Sequence, residues 1–242
     1  MTDRPVDGAQ RRPFRIATIP GDGVGPEVVA AARHVLDATA DRFAFAIEWS
    51  EHAAGGNAID AYGVAIRDED LAACGAADAI LLGAVGGPRW DNPGAAVRPD
   101  QPLFKLRGAL GLYANLRPVT VHLAIAANAA PVRAELLEGV DLLIVRELTG
   151  GLYYGDRVEA TGAPGERRAS DTLPYSEAEI QRVVRLAFEL ARGRRHRLTS
   201  VDKANVLATS RLWRTIVEEL RPEFPDVEVS HQLVYVRGTQ SD

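Results

Sequence analysis

The chain has 242 residues, 46% of them hydrophobic and 25% charged, with a formal net charge of −5. That balance is the composition of an ordinary globular protein, and it excludes a disordered polar chain and a general polyanion binder. One cysteine, Cys74, excludes an intrachain disulfide and fits a reducing compartment, and no apolar run is long enough to span a bilayer.

The length suits one large α/β domain or two smaller ones. Met1 to Pro13 is polar and rich in Pro and Arg, without the apolar core of a signal peptide, and reads as a disordered lead-in to a cytoplasmic protein. Phe14 to Pro20 reads as a buried first strand. The loop from Gly21 to Glu27 (GDGVGPE) follows, then a helix with Pro26 in its first turn and Val28, Val29, Ala32, Val35 and Leu36 on one face. Strand, glycine loop and helix form half of a βαβ unit. The loop is not G-x-G-x-x-G, and a tight turn needing positive φ explains its glycines as well as a nucleotide does.

Phe43 to Ser50 alternates and predicts a second strand, Ile66 to Cys74 a short helix, and Asp78 to Leu82 a short buried strand. That strand runs into a glycine-rich loop, Gly83 to Trp90, the place where open α/β sheets hold ligands. Asp91 to Pro102 is long for a connection, a common trait of functional loops. Leu103 to Pro118 (LFKLRGALGLYANLRP) then sets Arg107 and Arg117 in a mostly apolar stretch, with Tyr113 to Pro118 as a short strand. Two guanidinium forks beside Leu103 and Phe104 suit a small molecule with more than one carboxylate, although spacing alone favours surface arginines with buried stems.

Val140 to Val145 predicts another buried strand. Arg146 leaves its end, and Tyr153 follows on a glycine-flanked segment. Residues 155–171 look like a projecting hairpin or arm. Ser176 with Glu179 has the form of a capping box, opening a helix with Ile180, Val183, Val184, Ala187, Phe188 and Ala191 inward. The basic run Arg192 to Arg197 at its end reads as a solvated helix terminus rather than a nucleic-acid patch. Leu198 to Asp202 is a further strand, with Lys203 and Asn205 at its end. Lys203 is equally open to two readings, a surface ion pair with Asp202 and a desolvated base. A helix containing Leu212, Trp213, Ile216 and Val217 follows, and Val227 to Val234 is the last strand.

Six stretches taken together carry a resemblance: IPGDGVGPEV (Ile19 to Val28), LLGAVGGPRW (Leu81 to Trp90), Leu106-Arg107, NLRP (Asn115 to Pro118), VRELTGGLYYG (Val145 to Gly155) and VDKANVL (Val201 to Leu207). In this order they resemble the isocitrate/isopropylmalate dehydrogenase family of β-decarboxylating dehydrogenases, from about Phe14 to Val234. The resemblance implies a two-domain α/β fold with a mixed sheet: residues 14–112 in the cofactor-side domain, and 113–234 in the substrate and dimerisation domain, with an arm at about 148–172. It implies Arg107, Arg117 and Arg146 as substrate arginines, Tyr153 as catalytic acid, and Lys203 as catalytic base reaching into a neighbouring subunit. Leu103, Phe104 and Val206 match the pocket for an isopropyl group, and Val24, Gly86, Gly87, Pro88, Trp90 and Asp100 match positions that bind NAD. The implied reaction is NAD-dependent oxidation and decarboxylation of (2R,3S)-3-isopropylmalate to 4-methyl-2-oxopentanoate by a homodimer, with Mg2+ or Mn2+. Membrane and nucleic-acid partners are not expected.

The chain departs from that pattern after His231 to Val234. The family continues with a metal-binding aspartate where this chain has Tyr235, a poor ligand for a hard dication. Residues 235–242 are expected to be an aberrant tail outside the family pattern. The expectation is therefore a chain that lacks the C-terminal part of the fold and the metal ligands, is inactive alone, and leaves faces of residues 14–110 without packing partners. Tartrate- or homoisocitrate-type dehydrogenases, and a non-catalytic fragment that pairs with an intact subunit, are the alternatives.

Overall fold

The computed structural model describes residues 12–92, 94–121 and 133–234, so the expectations for residues 1–11 and for Tyr235 and its tail lie outside the described residues. The chain divides between Leu110 and Gly111 into two compact units. The fold is α/β, with parallel and antiparallel ladders both present.

The first unit is built on a three-stranded parallel sheet in the order β2-β1-β3, with β1 at Phe14–Gly21, β2 at Ile47–Glu51 and β3 at Ala79–Ala84. Helix α1, Gly25–Phe43, makes the crossover that parallel pairing requires. It buries Val29 and Ala40 and half-buries Ala32 and Leu36, whereas Val28 and Val35 are 52% and 63% exposed. The expected inward face is thus corrected. The apolar stripe is wider than the strip that meets β1 and β3, and no described residue covers the rest.

The second strand is also corrected. Its aromatic start belongs to α1, which runs to Phe43 and ends at Ala44 in the left-handed conformation, φ 53. Helix α2, Gly56–Tyr62, went unpredicted, and α3 spans Asp68–Ala76, later than expected, with Asp68, Glu69 and Asp70 favouring its N-terminal end. Helix α4, Gln101–Leu110, sends Leu106 into a core with Ala17, Ile19, Ala54, Ile66 and Cys74. Arg12, expected within a disordered lead-in, instead donates twice to Asp78 at 2.7 and 2.8 Å and holds that carboxyl far below the usual carboxylate range.

The second unit pairs β4 (Ala114–Thr120) antiparallel with β5 (Asp141–Glu147), and β8 (Arg197–Asp202) parallel with β9 (Glu228–Leu233). Strands β6 (Arg157–Thr161) and β7 (Arg168–Asp171) form an antiparallel hairpin exposed along its whole length, within the predicted arm. Helix α5, Glu177–Arg192, opens with the predicted capping box, both of its hydrogen bonds present. It packs with α6, Ala208–Leu220, around Phe188, whose ring stacks on Phe224 at 4.6 Å. Burying each such side chain contributes ~2 kcal/mol, which makes this amphipathic pair the centre of the unit.

Candidate active site

In the first unit the ends of β1 and β3 lie backbone against backbone. The Asp22 N–H donates to the Ala84 carbonyl at 2.6 Å. Gly21 has φ +73, and a Cβ there would sit 1.9 Å from the Ala84 oxygen, so only glycine fits. The Asp22 carboxylate, 1% exposed, accepts from the N–H groups of Gly56, Asn57 and Gly86 at 2.7, 2.8 and 2.8 Å. Beyond Gly86 a cavity of about 430 Å3 opens, within the range of ligand pockets. Gly86, Gly87, Pro88, Trp90 and Asp100 all line it, whereas Val24 does not and stands exposed before α1. The Trp90 indole lies flat against Gly56, where a Cβ would meet the ring at 2.3 Å, and its Nε1 donates to Asp60 at 3.2 Å.

Leu103, Phe104 and Arg107 sit on α4, half-buried, with Leu103 and Arg107 one turn apart. The Arg107 guanidinium carbon is 6.0 Å from the Phe104 ring centroid, so the arginine has an aromatic neighbour as the sequence suggested.

In the second unit the register of β4 and β5 sets the remaining arginines. Asn115 pairs with Arg146 and Arg117 with Ile144, which puts Asn115, Arg117 and Arg146 on one face of the ladder. Arg146 lies inside β5 rather than beyond its end. Arg117 Nε donates to Asn115 Oδ1 at 2.7 Å. Arg146 Nη2 donates to the Tyr153 hydroxyl at 3.4 Å, and its guanidinium carbon lies 5.7 Å from the Tyr153 ring centroid. A cavity of about 450 Å3 touches both Arg146 and Tyr153.

Glu147, not singled out from the sequence, shapes the turn that carries Tyr153. Its buried carboxylate accepts from the Thr149 N–H and hydroxyl, the Gly150 N–H and the Tyr175 hydroxyl. Burial, then the Glu147 charge and hydrogen bond, push the Tyr175 pKa up to about 12.

Lys203 follows β8 in a turn where its carbonyl accepts from Val206 and Leu207. Asp202 is no surface group: its carboxylate, 3% exposed, takes the Ala204 N–H at 2.8 Å and Arg214 Nε at 2.6 Å. Val206 stands exposed on the same turn. The basic run is likewise engaged, Arg192 with Asp226, Arg194 with Asp141 and Arg197 with Glu228. An acid flanked by glycine, or closing an apolar run, is the signal that could have marked Asp22, Glu147 and Asp202.

Among the described residues no group of three or more His, Cys, Asp or Glu side chains could hold a metal ion, and no helix is long and apolar enough to cross a membrane.

Residues 15–238 match the model of the isocitrate/isopropylmalate dehydrogenase family, so the match reaches past Val234, the end of the resemblance read from the sequence, and takes in residues 235–238. The chain is 52% identical over 220 residues to a 3-isopropylmalate dehydrogenase of Anaeromyxobacter dehalogenans, covering 91% of this chain and 62% of that protein. It is 52% identical over 222 residues to the Moorella thermoacetica 3-isopropylmalate dehydrogenase, again covering 91% and 62%. Its fold superposes on an isocitrate dehydrogenase from Methylococcus capsulatus with a TM-score of 0.77 at 30% identity, covering 94% of this chain and 62% of that one. A β-decarboxylating dehydrogenase from Thermococcus kodakarensis gives 0.66 at 34% identity, covering 93% and 59%. The chain thus spans about 62% of the length of the curated relatives it matches. On the strength of the matched residues and the shared fold, this chain belongs to the isocitrate/isopropylmalate dehydrogenase family.

Proposed function

We propose that the protein acts in the NAD-dependent oxidation and decarboxylation of (2R,3S)-3-isopropylmalate, in the cytoplasm and as a homodimer. The observation that carries this reading is the row of Asn115, Arg117 and Arg146 on one face of the β4–β5 ladder, with the Tyr153 hydroxyl held against Arg146 from the turn that follows β5. Guanidinium forks bind carboxylates in two parallel hydrogen bonds, and a phenol is a group that can give a proton to the same substrate.

In this reading Arg107, Arg117 and Arg146 hold the two malate carboxylates. Lys203, through a water, takes the C2 hydroxyl proton. NAD, held at Gly86, Gly87, Pro88 and Trp90, would supply the acceptor for the C2 hydride. The bond from C3 to its carboxylate then breaks, CO2 leaves, and Tyr153 protonates C3 of the enolate to give 4-methyl-2-oxopentanoate. Arg146 beside Tyr153 stabilises the charge left on the phenol oxygen. Leu103, Phe104 and Val206 favour an isopropyl group over a third carboxylate.

NAD suits the cavity lined by Gly86, Gly87, Pro88 and Trp90, where Gly86 has φ +99 and the backbone can approach a ligand. Mg2+ or Mn2+ is the metal that family membership calls for. The described residues do not fit it, since they gather no cluster of oxygen ligands, and no step above runs through it. The homodimer reading is supported by the β6–β7 hairpin, which is exposed throughout.

The test is NADH formation with 3-isopropylmalate, (R)-malate, tartrate and homoisocitrate, measured in a version of the chain with the C-terminal part of a relative restored. Preference for 3-isopropylmalate is expected, preference for another acid would move the substrate within the family, and no turnover on any would remove the enzyme reading. Co-purification with an intact family member would favour the fragment reading instead.

A further inference from the structure

Two acids, Asp22 in the loop after β1 and Asp60 on α2, hold the loop that lines the cavity of the first unit. At the loop's start, the Gly86 N–H donates to Asp22 Oδ2 at 2.8 Å. At its end, Asp60 on α2 accepts from Trp90 Nε1 at 3.2 Å and pairs with Arg89 at 3.0 Å. Asp22 reaches further still. The same carboxylate takes the Gly56 and Asn57 N–H groups at 2.7 and 2.8 Å, which start α2 behind an N-cap glycine with no side chain to offer. Asn57 answers by donating its Nδ2 to the Gly21 carbonyl at 2.7 Å. One buried carboxylate thus joins the loop after β1, the first turn of α2 and the loop after β3.

We propose that Asp22 is the positioning residue of this cavity. Its carboxylate gathers the N–H groups of Gly56, Asn57 and Gly86 and sets the Gly86–Trp90 loop in a ligand-ready shape before any ligand arrives. The ligand named here, NAD, rests on the cofactor reading above, whereas the loop-setting role does not. The chemistry demands an acid. Three N–H donors converge on two oxygens, and the hydrogen bonds are short and charge-assisted. An asparagine would turn an NH2 group toward at least one of those donors, leaving a buried N–H without an acceptor. Asp22 does not line the cavity, so it acts through the loop and not by touching the ligand.

The experiment compares the full chain with Asp22→Asn and, as a control in the same unit, Asp70→Asn, which removes a buried carboxylate bonded to His52 and Arg67. Amide hydrogen exchange is read first, then NAD+ affinity by quenching of tryptophan fluorescence. In Asp22→Asn the Gly56, Asn57 and Gly86 amides should lose protection together and NAD+ binding should weaken by at least tenfold. Asp70→Asn should leave both readouts within about threefold of the unmodified chain. Unchanged protection of Gly86 in Asp22→Asn, or an equal loss of NAD+ affinity in Asp70→Asn, would overturn the proposal. If the unmodified chain does not bind NAD+, the cofactor reading fails and the exchange result alone decides the role of Asp22. If Asp22→Asn does not fold, the unmodified protein decides it: the three amides should open with a single free energy, and three unrelated values would overturn the proposal.

Discussion

The Arg146 guanidinium donates to the Tyr153 hydroxyl at 3.4 Å and lies beside its ring, 5.7 Å from the centroid. The pair joins a strand residue to a turn residue seven positions on, and it brings a permanent cation to a group that can give up a proton. If Tyr153 is the acid that protonates the enolate, Tyr153→Phe removes the proton donor but leaves the carboxylate contacts. Turnover in the assembled enzyme should fall by about 10²- to 10⁴-fold with KM nearly unchanged. Arg146→Ala should lower turnover and raise KM together. Steady-state NADH formation checks both, and equal KM increases in the two variants would contradict the division of roles.

Tyr175 offers a pH signature of the turn that carries Tyr153. Its pKa is raised from 10.0 to about 12, first by burial and then by Glu147. A raised folded-state value means the contribution is fully present below pH 10 and is lost as pH rises toward 12. Melting temperature should therefore fall more steeply across that window in the unmodified chain than in Tyr175→Phe. Parallel curves would place Tyr175 in a more open setting than the one described.

Asp70 gives the opposite limb. Burial disfavours its charged form, but the hydrogen bonds from Arg67 and His52 outweigh that and lower its pKa below 3.8. The contribution is present above the ordinary carboxylate value and disappears as pH falls through the folded one. Acid unfolding followed between about pH 5 and pH 2 should show a shallower slope for Asp70→Asn than for the unmodified chain.

Two exposed valines on α1 predict a solution property. Val28 and Val35, together with Val24 and Phe43, form an apolar strip that no described residue covers. Val28→Ser with Val35→Ser should raise the concentration at which the chain aggregates, while stability changes by no more than about 0.5 kcal/mol per site. Light scattering and thermal melts together test this, and a large stability loss would mean the strip is covered after all. In the second unit Phe188→Ala should cost about 3–5 kcal/mol, because Phe188 is fully buried against Phe224.

Much of the architecture was legible because its signals are local. Apolar runs gave β1, β3 and β5, the 3.6-residue period gave α5 and α6, and Ser176 with Glu179 marked where α5 begins. Helix α2 was not legible, since GNAIDAY is short and starts on a glycine. The start of β2 was misplaced because Phe43, Phe45 and Ile47 alternate as a strand would, while Ala44 turns the chain out of α1 at φ 53. The candidate arginines and Tyr153 were found by their motifs. The carboxylates that set the loops were not, because the donors meeting Asp22 lie 34, 35 and 64 residues away, and a sequence read locally places an acid at the surface.

The most direct test of the central claim is NADH formation from 3-isopropylmalate, measured for the chain as it stands and for the same chain extended with the unmatched part, about 38%, of a relative such as the Anaeromyxobacter dehalogenans enzyme. The account predicts NADH formation that prefers 3-isopropylmalate over (R)-malate, tartrate and homoisocitrate in at least one of the two forms, and whose steady-state rate falls by about 10²- to 10⁴-fold in Tyr153→Phe. NADH formation no higher than the Tyr153→Phe background in both forms would contradict it.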